Sequence, residues 1–423
     1  MSFIKIIILA LAALMLIDLI VYLFVPRMRK TAAIFARIFI GLIFVFSGFV
    51  KAVDPLGSAY KIHDYLSAFG LNWLLPASLA LGMLLNLAEF LIGFVVLFGV
   101  RMRLFSWGTL LFMIIFTPLT LYLAIKNPVS DCGCFGDFLV MTNWETFFKN
   151  LVFITCAVIV FSYRNKYNDT MLSGWFKNGI IVVGIIIAMG MQFYAIRYDA
   201  LIDFRPWKVG NRIADQMVSI PEKADVYLVY KNTETGKEEE YTTETLPWQD
   251  SIKMSTIKFI NQRKVVIEPS IAAPIHDFTI SNSQGDDLTD SILNKTDYHF
   301  ILIAYNLGKT NKESFTAINA FAKKCMNENI SFIGLTGSSN DVMNSFASLT
   351  KPIFPIYFTD GTALKTVIRS NPGILLLKDG YVINKWPFRT LPSFEEFKTS
   401  IKKYDADYLK YKAQAKELKT TKL

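Results

Sequence analysis

Two cysteines separated by one glycine are the residues of this sequence best suited to chemistry. Cys132 and Cys134 lie in the segment Asn127–Gly136, NPVSDCGCFG. Alpha carbons two residues apart reach disulfide distance only at a bend, and Gly133 favours a bend. A disulfide would close a small strained ring, and strained, exposed disulfides exchange readily with thiols. The pair is a candidate for redox chemistry, for a structural disulfide or, with His63 as the nearest histidine, for metal binding; we predict no metal site.

The other two cysteines, Cys156 and Cys325, lie in apolar stretches. Free cysteine commonly behaves as a small buried hydrophobic residue, and we expect both side chains to be buried. A role for Cys156 as a resolving thiol is the alternative. Four cysteines in 423 residues do not form the framework of a disulfide-rich protein.

The composition of the chain changes abruptly between residues 198 and 205. Hydrophobic residues make up 52% of the sequence and charged residues 19%, against roughly 25% charged in soluble domains, and most of the apolar excess precedes this boundary. Much of the net charge of +9 comes from basic clusters beside apolar runs and from the Lys-rich segment 401–423. No module that reads bases is visible, so nucleic acid is not an expected partner.

Six apolar segments before residue 200 meet or approach the length needed to cross a bilayer core of roughly 30 Å, which takes about 20 residues. They are Phe3–Val25, Ala32–Val50, Trp73–Val100, Leu104–Ile125, Phe147–Tyr163 and Gly179–Ile196. The first is longer than the apolar core of a signal peptide and no small-residue cleavage site follows it, which predicts a membrane anchor. Membrane lipid is therefore an expected partner of these segments.

Short basic clusters predict which side of the membrane each loop faces. They follow the first, third and fifth apolar segments, at Arg27, Arg29 and Lys30, at Arg101 and Arg103, and at Arg164 and Lys166. Positive charge marks cytoplasmic loops, and six spans place these three loops on one side. The Cys132–Cys134 loop and everything after residue 200 then face the other compartment, where disulfides persist. We predict a bacterial inner-membrane protein with a periplasmic C-terminal domain.

Two ionisable residues, Arg37 and Glu89, lie within the predicted spans. Counted from the cytoplasmic ends of their helices, their depths nearly match, so an ion pair between them is geometrically possible. Such a pair could be a proton or ligand site, or it could fix the packing of two helices together with Asn86, one turn from Glu89. We favour the structural interpretation.

Several short motifs of the apolar half resemble those of the DoxX superfamily. They are Arg37–Gly41 (RIFIG), Phe46–Lys51 (FSGFVK), Asp54-Pro55 and Glu89 in an apolar helix. The Asp131–Gly136 loop, DCGCFG, resembles the loop of the MauE branch. The resemblance covers residues 31–165 and implies a four-helix membrane core. Because the MauE branch is associated with maturation of a disulfide-rich periplasmic subunit, the resemblance also implies a redox role for Cys132 and Cys134.

The sequence after residue 205 has strand and helix patterns of a folded extramembrane domain. Residues 205–270 favour strands, with a hairpin predicted from Val226–Tyr230 and Glu240–Thr242 around Asn232–Gly236. From Ile275 to about Phe397, strands alternate with helices and the last two strands form a hairpin, which predicts an α/β domain with a mixed sheet.

This second pattern resembles the thioredoxin fold in its peroxiredoxin/TlpA-like form. Pro372 occupies the place of that family's cis-proline, and Ile275–Ile280 with Gly285 resembles its N-terminal hairpin. Where the family has Cys-x-x-Cys, this chain has Asn306–Lys312, NLGKTNK, and without a thiolate no thiol–disulfide exchange takes place there. The resemblance therefore implies a shape, a surface at Tyr305, Asn371 and Pro372 able to hold an extended peptide of a partner. We expect His276 to be solvated or hydrogen-bonded.

The predicted architecture is an α-helical membrane bundle joined to a periplasmic, thioredoxin-like α/β domain. Its predicted parts are an anchor (1–30), the four-helix core (31–165), a sixth span (166–200), a β-rich insert (201–270), the α/β domain (271–400) and a Lys-rich helix or tail (401–423). The favoured function is redox assistance or maturation of envelope proteins through Cys132 and Cys134. The alternative is a non-enzymatic scaffold of an envelope complex. A periplasmic or membrane protein is the expected partner, and no cofactor is indicated; a quinone or another electron acceptor stays open.

Overall fold

The computed structural model describes residues 3–167, 173–268, 270 and 272–421. Its N-terminal half is helical, with α1 Phe3–Phe24, α2 Arg29–Ala52, α3 Pro55–Ala68, α4 Ser78–Phe98, α5 Met102–Lys126, α6 Asn143–Tyr163 and α7 Gly174–Arg197. Among the described residues, six of these helices are long and apolar enough to cross a membrane, and α3 is the exception. The prediction of six spans in a multi-pass membrane protein is confirmed.

Glycines set the close, antiparallel approach of α2 and α4. A methyl carbon on Gly48 would lie 2.6 Å from the backbone nitrogen of Phe90, and one on Gly93 would lie 2.5 Å from that of Val45. Small residues at such crossings allow two helix backbones to pack directly against each other. The bundle is completed by α5 and α6, with α1 packed on α2 and α6 and with α7 on α4.

Helix α3 is an element that the sequence analysis did not predict. The carboxylate of Asp54 caps its first turn by accepting a hydrogen bond from the backbone N–H of Gly57 at 3.1 Å, and Pro55 is its first residue. Both are typical of a helix start. Its 14 residues mix polar and apolar side chains, so neither the length nor the composition of a membrane span marks it.

A three-stranded antiparallel sheet follows the last span and a short helix, α8 Ile213–Gln216. Its strands are β1 Lys223–Asn232, β2 Glu238–Tyr241 and β3 Ile257–Glu268, in the order β2-β1-β3, and the short helix α9 Ser251–Thr256 precedes β3. The predicted hairpin is confirmed as β1–β2, with the Gly236 N–H donating to the Asn232 carbonyl at 2.9 Å.

The C-terminal α/β domain is built on a mixed five-stranded sheet, as predicted. After α10 Thr289–Leu293 come β4 His299–Ile303, α11 Phe315–Asn327, β5 Ser331–Thr336, α12 Asn340–Thr350, β6 Ile356–Phe358, α13 Gly361–Val367, β7 Gly373–Lys378, β8 Tyr381–Pro387 and α14 Phe394–Thr421. The order is β6-β5-β4-β7-β8, with β4, β5 and β6 parallel to one another and β7 antiparallel to both β4 and β8.

Apolar side chains cover both faces of this sheet. Phe300 and Phe397 belong to the cluster under α11 and α14, and Ile301 and Trp207 belong to the cluster on the other face. The alternation of Phe300 and Ile301 between the two clusters follows from the two-residue period of a strand. A sheet buried on both faces gives the domain a core of its own.

One prediction for this half needs correction. The N-terminal hairpin at Ile275–Ile280 is not formed as strands; Ser281 makes isolated bridges to Asp287 and Phe358. The Asp286–Asp287 backbone instead closes a tight loop held by the Asn282 side chain, whose amide oxygen accepts the Asp286 N–H at 2.9 Å. The Lys-rich segment predicted as a helix or tail is helical over its described residues, as the C-terminal part of α14.

Candidate functional site

The loop between α5 and α6, residues 127–142, covers one end of the helical bundle and is fixed at both ends. At its start, the amide nitrogen of Asn143 donates to the Asn127 side-chain oxygen at 2.8 Å and to the Val129 carbonyl at 2.9 Å. At its end, Thr142 and Glu145 form a reciprocal capping box on α6. We call this segment the cysteine loop.

The cysteine loop bends at Gly133, which has a left-handed backbone with φ of 67°. Asp131 supports the bend, since its Oδ1 accepts the Gly133 N–H at 2.9 Å. The bend brings the sulfur atoms of Cys132 and Cys134 to 2.8 Å from each other. The left-handed conformation is one that glycine adopts without a steric penalty.

Side chains from α2 and α3 hold the two cysteines from outside the loop. Lys61 forms an ion pair with Asp131 at 2.7 Å. The Tyr65 hydroxyl donates to the Cys132 carbonyl at 2.8 Å, and the Ser47 hydroxyl donates to the Cys134 carbonyl at 2.7 Å. Because each cysteine carbonyl is bonded to a different helix, the position of the pair depends on the packing of the bundle.

Two lysines lie beside the pair, of which Lys149 is buried and Lys51 is half-buried. Lys51, in the last turn of α2, forms an ion pair with Glu89 of α4. Lys149 of α6 lies over the aromatic ring of Phe135, with its ammonium 4.6 Å from the ring centre, and is 7% exposed. Cation–π contact is one way in which a buried ammonium is stabilised. Both lysines place positive charge at the bundle end that carries the thiols.

These surroundings shift the pKa values of the two thiols in opposite directions. The hydrogen bond from Cys132 lowers the pKa of Cys134, against the effect of burial, and the charges of Lys149 and Lys51 lower it further. The pKa of Cys132 is raised, because its proton is held in that same hydrogen bond and the thiol is buried. Cys134 is therefore the first of the two to become a thiolate, which is the reactive form.

A cavity of about 230 Å³ lies inside the bundle directly below the cysteine loop. Cys132, Gly133 and Cys134 form its roof. Most of its walls are apolar side chains of α2 to α6, including Phe44, Leu85, Phe112, Met113, Phe116 and Phe153. The thiols thus have access to a space within the membrane half.

Arg369 of the C-terminal domain reaches across to the other side of the cysteine loop. It is 6% exposed, and its guanidinium lies 2.7 Å from the Asp54 carboxylate and 3.2 Å from that of Asp137. Its backbone N–H donates to Asp199 at 3.2 Å. The capping residue of α3 and a residue of the cysteine loop therefore share one buried arginine of the C-terminal domain.

A second buried ion cluster fixes the linker after α7. Arg205 is 2% exposed and contacts Asp203 at 2.7 Å and Asp199 at 3.3 Å, and Lys385 of β8 contacts Asp203 at 2.7 Å. Burial would raise the pKa of Asp203, but the charges of Arg205 and Lys385 outweigh it and hold that pKa below its usual range. The two halves are thus joined by paired charges.

The surface predicted at Tyr305, Asn371 and Pro372 faces the membrane half. The Asn371–Pro372 bond is cis, and the Asn371 amide donates to the Asn306 carbonyl at 2.8 Å. The Tyr305 hydroxyl donates to the Arg369 carbonyl at 3.2 Å. A crevice of about 800 Å³ separates the halves here, with Tyr305, Asn306 and Lys309 on one wall and Asp131, Gly133 and Asp137 on the other. Of the three predicted surface residues, Tyr305 lines this crevice, which the cysteine loop also lines.

The structure does not pair Arg37 with Glu89. Since Gly48 packs against Phe90, Glu89 is level with the far end of α2, about twelve residues or 18 Å along the helix from Arg37. Glu89 pairs with Lys51, and the Arg37 guanidinium lies over the Tyr167 ring at 5.6 Å. Depths counted from predicted helix ends gave the wrong register, because the contact of the two helices sets it.

The remaining candidates lie away from the pair. Cys156 and Cys325 are 0% exposed, and Cys156 contacts the Met15 sulfur at 3.1 Å, so the expected burial is confirmed for both. Burial raises the pKa of Cys325 to about 12. His63 is exposed on α3, and His276 is exposed as expected.

Sequence reasoning missed the residues that surround the thiols, namely Lys51, Lys61, Tyr65, Lys149 and Arg369. A signal was present for two of them. Lys149 interrupts an apolar span, and Lys51 ends the FSGFVK motif three residues before Asp54. An intramembrane lysine is costly and needs a compensating partner or function. Nothing in the sequence pairs Arg369 with a residue more than 300 positions earlier.

Comparisons with known proteins agree with this architecture. Residues 28–163 match the sequence profile of the family described as methylamine utilisation protein MauE. The fold and this match define a multi-pass membrane protein with a MauE-like helical domain and a C-terminal α/β domain.

One curated relative is Protein TlpB of Flavobacterium psychrophilum, to which the chain is 27% identical over 149 residues. The aligned stretch covers 35% of this chain and 35% of that protein, so the chain spans about a third of the relative's length. No solved structure matches the chain.

Proposed function

We propose that this protein assists the oxidation or maturation of envelope proteins by thiol–disulfide exchange at Cys132 and Cys134. It does so in the bacterial inner membrane, with the cysteine loop and the C-terminal domain in the periplasm. The MauE match and the three basic clusters on alternate loops support this placement. The C-terminal α/β domain, whose sheet has the order β6-β5-β4-β7-β8, takes part without cysteines of its own at residues 306–312.

The geometry around the two sulfur atoms carries this proposal. They lie 2.8 Å apart in a bent loop, with buried Lys149 and half-buried Lys51 next to them. Positive charge next to a thiol stabilises the thiolate, both as an attacking and as a leaving group. A purely structural disulfide needs no such asymmetry between its sulfur atoms.

The asymmetry gives the exchange a direction. A partner thiolate attacks the Cys132 sulfur of the oxidised pair, and Cys134 leaves as the better-stabilised thiolate. The second thiol of the partner then attacks the mixed disulfide and releases the Cys132 thiol. The partner has lost two electrons and gained a disulfide, and the pair has been reduced to the dithiol.

The crevice between the two halves is where a partner segment would lie. One wall carries Asp131, Gly133 and Asp137 of the cysteine loop, and the other carries Tyr305, Asn306 and Lys309. An extended peptide held there passes directly beside the bend that separates the two cysteines. The C-terminal domain thus supplies a binding surface and the membrane half supplies the sulfur chemistry.

The test uses the four cysteines as matched controls. In cells, acid quenching followed by thiol alkylation should trap a mixed disulfide on Cys132 in the Cys134→Ser variant, because the Cys132 thiolate can attack a disulfide of the oxidised partner and Cys134 is absent to release it. The variants Cys156→Ser and Cys325→Ser should behave as the wild type, since both thiols are buried. Silent replacement of Cys132 and Cys134, with the wild-type pair always oxidised, would exclude this function.

A scaffold role is the second candidate, and one observation favours it. The C-terminal domain lacks cysteine in the 306–312 loop, yet buried ion pairs fix it to the membrane half. A scaffold would keep its partner without exchange chemistry. A partner that co-purifies equally with the wild type and with a Cys132→Ser/Cys134→Ser variant, with no loss of function, would establish this alternative.

A further inference from the structure

The cavity below the cysteine loop has one polar end and apolar walls. Five phenylalanines and a methionine belong to the walls, at Phe44, Phe69, Phe112, Phe116, Phe153 and Met113. The polar end has the two thiols of the loop and the Lys51–Glu89 pair. This combination of a largely apolar lining with a few convergent polar groups is typical of a small-molecule site.

Asn86 marks an unused hydrogen-bonding position at this polar end. The residue is 0% exposed and lines the cavity. Its amide nitrogen donates to Ser58, to the Lys51 carbonyl and to Gln192, at 3.1 to 3.3 Å. Its Oδ1 accepts no hydrogen bond from any residue in the described part of the chain. A buried acceptor without a donor is costly, so a ligand hydroxyl at this position would satisfy it.

The cysteine loop separates this cavity from the crevice between the two halves. Lys51, Ser58, Lys61 and Gly133 line both spaces, whereas Cys132 and Cys134 line the inner cavity. A group in the cavity therefore contacts the sulfur atoms from the membrane side. A protein segment in the crevice lies on the opposite side of residues 132–134.

The volume of the cavity limits what it can hold. An apolar protein cavity of about 150 Å³ holds one benzene molecule, so about 230 Å³ accommodates a substituted ring. The aromatic side chains favour a flat, aromatic or quinonoid ring over a flexible chain. The Lys51 ammonium can donate to a ring carbonyl, and Asn86 can accept from a ring hydroxyl.

We infer that this cavity binds the ring of a membrane-soluble quinone, which accepts the electrons of the Cys132–Cys134 dithiol. The inference rests on the proposed function, because it supplies the acceptor that repeated exchange requires. The dithiol loses two electrons and two protons and forms the sulfur–sulfur bond. The quinone gains both electrons and both protons and becomes the hydroquinone. The re-formed disulfide is then ready for the next partner.

Binding is tested separately from chemistry in the full-length Cys132→Ser/Cys134→Ser variant, purified in nanodiscs. An azido-benzoquinone photoprobe should label segments of α2 to α6 that line the cavity, and menadione should compete for the labelling. Labelling spread over lipid-facing residues, or unaffected by menadione, would overturn the inference. This readout requires no active cysteine.

Two adjacent leucines of α4 give a matched pair for the reaction. Leu85 lines the cavity, whereas Leu84 is 60% exposed on the outer surface of the helix. Leu85→Trp fills the cavity, so menadione should oxidise its reduced cysteine pair at least about tenfold more slowly than the wild-type pair, corresponding to the loss of about 1.4 kcal/mol. Leu84→Trp should react at the wild-type rate.

Diamide, which oxidises thiols directly, distinguishes the failure of this inference from that of the proposed function. If diamide forms the Cys132–Cys134 disulfide but menadione does not, or if Leu85→Trp reacts with menadione as the wild type does, the quinone site is wrong and the exchange function stands. If the disulfide formed by diamide exchanges with no thiol, both are wrong. Equal slowing of Leu85→Trp with diamide and with menadione would show a folding defect and count against the cavity.

Discussion

Two loops of this molecule line the same crevice and differ in what holds them and in what they can do. The cysteine loop has both thiols, and side chains of Ser47, Lys61 and Tyr65 from two helices hold it. The loop after β4, residues 306–312, has no cysteine. Two buried arginine clusters keep the two loops together. The two thiols and the proposed partner surface therefore lie in separate halves of the chain.

The thiol-free loop keeps its shape through short-range bonds. The Lys309 N–H donates to the Asn306 side chain at 3.0 Å, the Ser314 N–H donates to that of Asn311 at 2.9 Å, and Asn371 closes the loop from β7. All of these bonds are between backbone groups and asparagine side chains, and none involves a cysteine. The loop therefore keeps its conformation through amide hydrogen bonds.

The largest expected effect is that of removing Arg369, which should loosen the contact between the two halves that carry these loops. Arg369→Ala leaves the Asp54 carboxylate partly buried without its guanidinium, which costs about 3–5 kcal/mol. Hydrogen exchange of residues 198–212 and of α3 should then become faster. Arg389→Ala is the control, because Arg389 is exposed and donates only to the Arg197 carbonyl at 2.9 Å. Unchanged exchange in Arg369→Ala would show that the halves are held by other contacts.

Removing the charge of Lys149 should raise the pKa of Cys134 and make the cysteine loop less reactive. Lys149→Met takes away one of the charges that lower the pKa of Cys134. A rise of one pKa unit, about 1.4 kcal/mol, moves the alkylation profile of Cys134 up by one pH unit and lowers the thiolate fraction about tenfold at pH values well below the pKa. The rate of Cys134 alkylation by iodoacetamide as a function of pH measures this shift.

Lys149→Arg keeps the charge and should keep the alkylation profile near that of the wild type. If Lys149→Met and Lys149→Arg react alike, the charge of Lys149 does not control the thiol. The two loops would then differ only in whether they contain cysteine.

The architecture could be predicted from the sequence because its signals are local. Apolar length marks the six spans, and the alternation of strand and helix patterns marks the mixed sheet. Helix α3 has no such signal, since its composition is neither that of a span nor strongly periodic. The register of α2 against α4 was also out of reach, because it depends on where Gly48 and Gly93 contact the facing backbone.

The candidate site could be predicted only at its centre. The spacing of Cys132 and Cys134 identifies the pair, whereas the groups around it come from segments far apart in the chain. Lys61 and Asp131 are separated by 70 positions, and Arg369 and Asp54 by 315. Such contacts are tertiary, and a single sequence without a motif that joins them gives no basis for pairing these residues.

Changing the bend between the thiols should have a smaller effect. Gly133→Ala costs about 1 kcal/mol for the left-handed backbone, and its methyl carbon would lie 3.0 Å from the Lys61 side chain. We expect slower closure of the Cys132–Cys134 disulfide by diamide. Gly236→Ala is a matched control, with φ of 69° and open space around it. Equal disulfide closure in the two variants would show that the bend does not align the thiols.

Acid should weaken the junction of the two halves as the pH falls below about 4. This is the smallest of the expected effects. Burial opposes the shift, but Arg369 lowers the pKa of Asp54, and Arg205 and Lys385 lower that of Asp203. A carboxyl group whose folded-state pKa lies below the unfolded value of about 3.8 stabilises the folded state above that pH. The stabilisation is lost as the pH falls through the folded-state pKa.

Hydrogen exchange of residues 198–212 between pH 5 and pH 3, compared at equal intrinsic exchange rate, measures the opening. Asp203→Asn should reduce the acid dependence, because the titrating group is gone. An acid dependence identical to that of the wild type would assign the effect to other carboxylates.

Helix α3 contacts both Arg369 of the C-terminal domain and the cysteine loop. Its capping residue Asp54 is bonded to Arg369, its Tyr60 lies under the same guanidinium at 5.3 Å, and Tyr65, one turn and a half further on, holds the Cys132 carbonyl. A rigid helix of 14 residues moves as one body, so a tilt imposed at its first turn reaches its far end. A displacement of the C-terminal domain at Arg369 would therefore be transmitted along α3 to the Cys132 carbonyl.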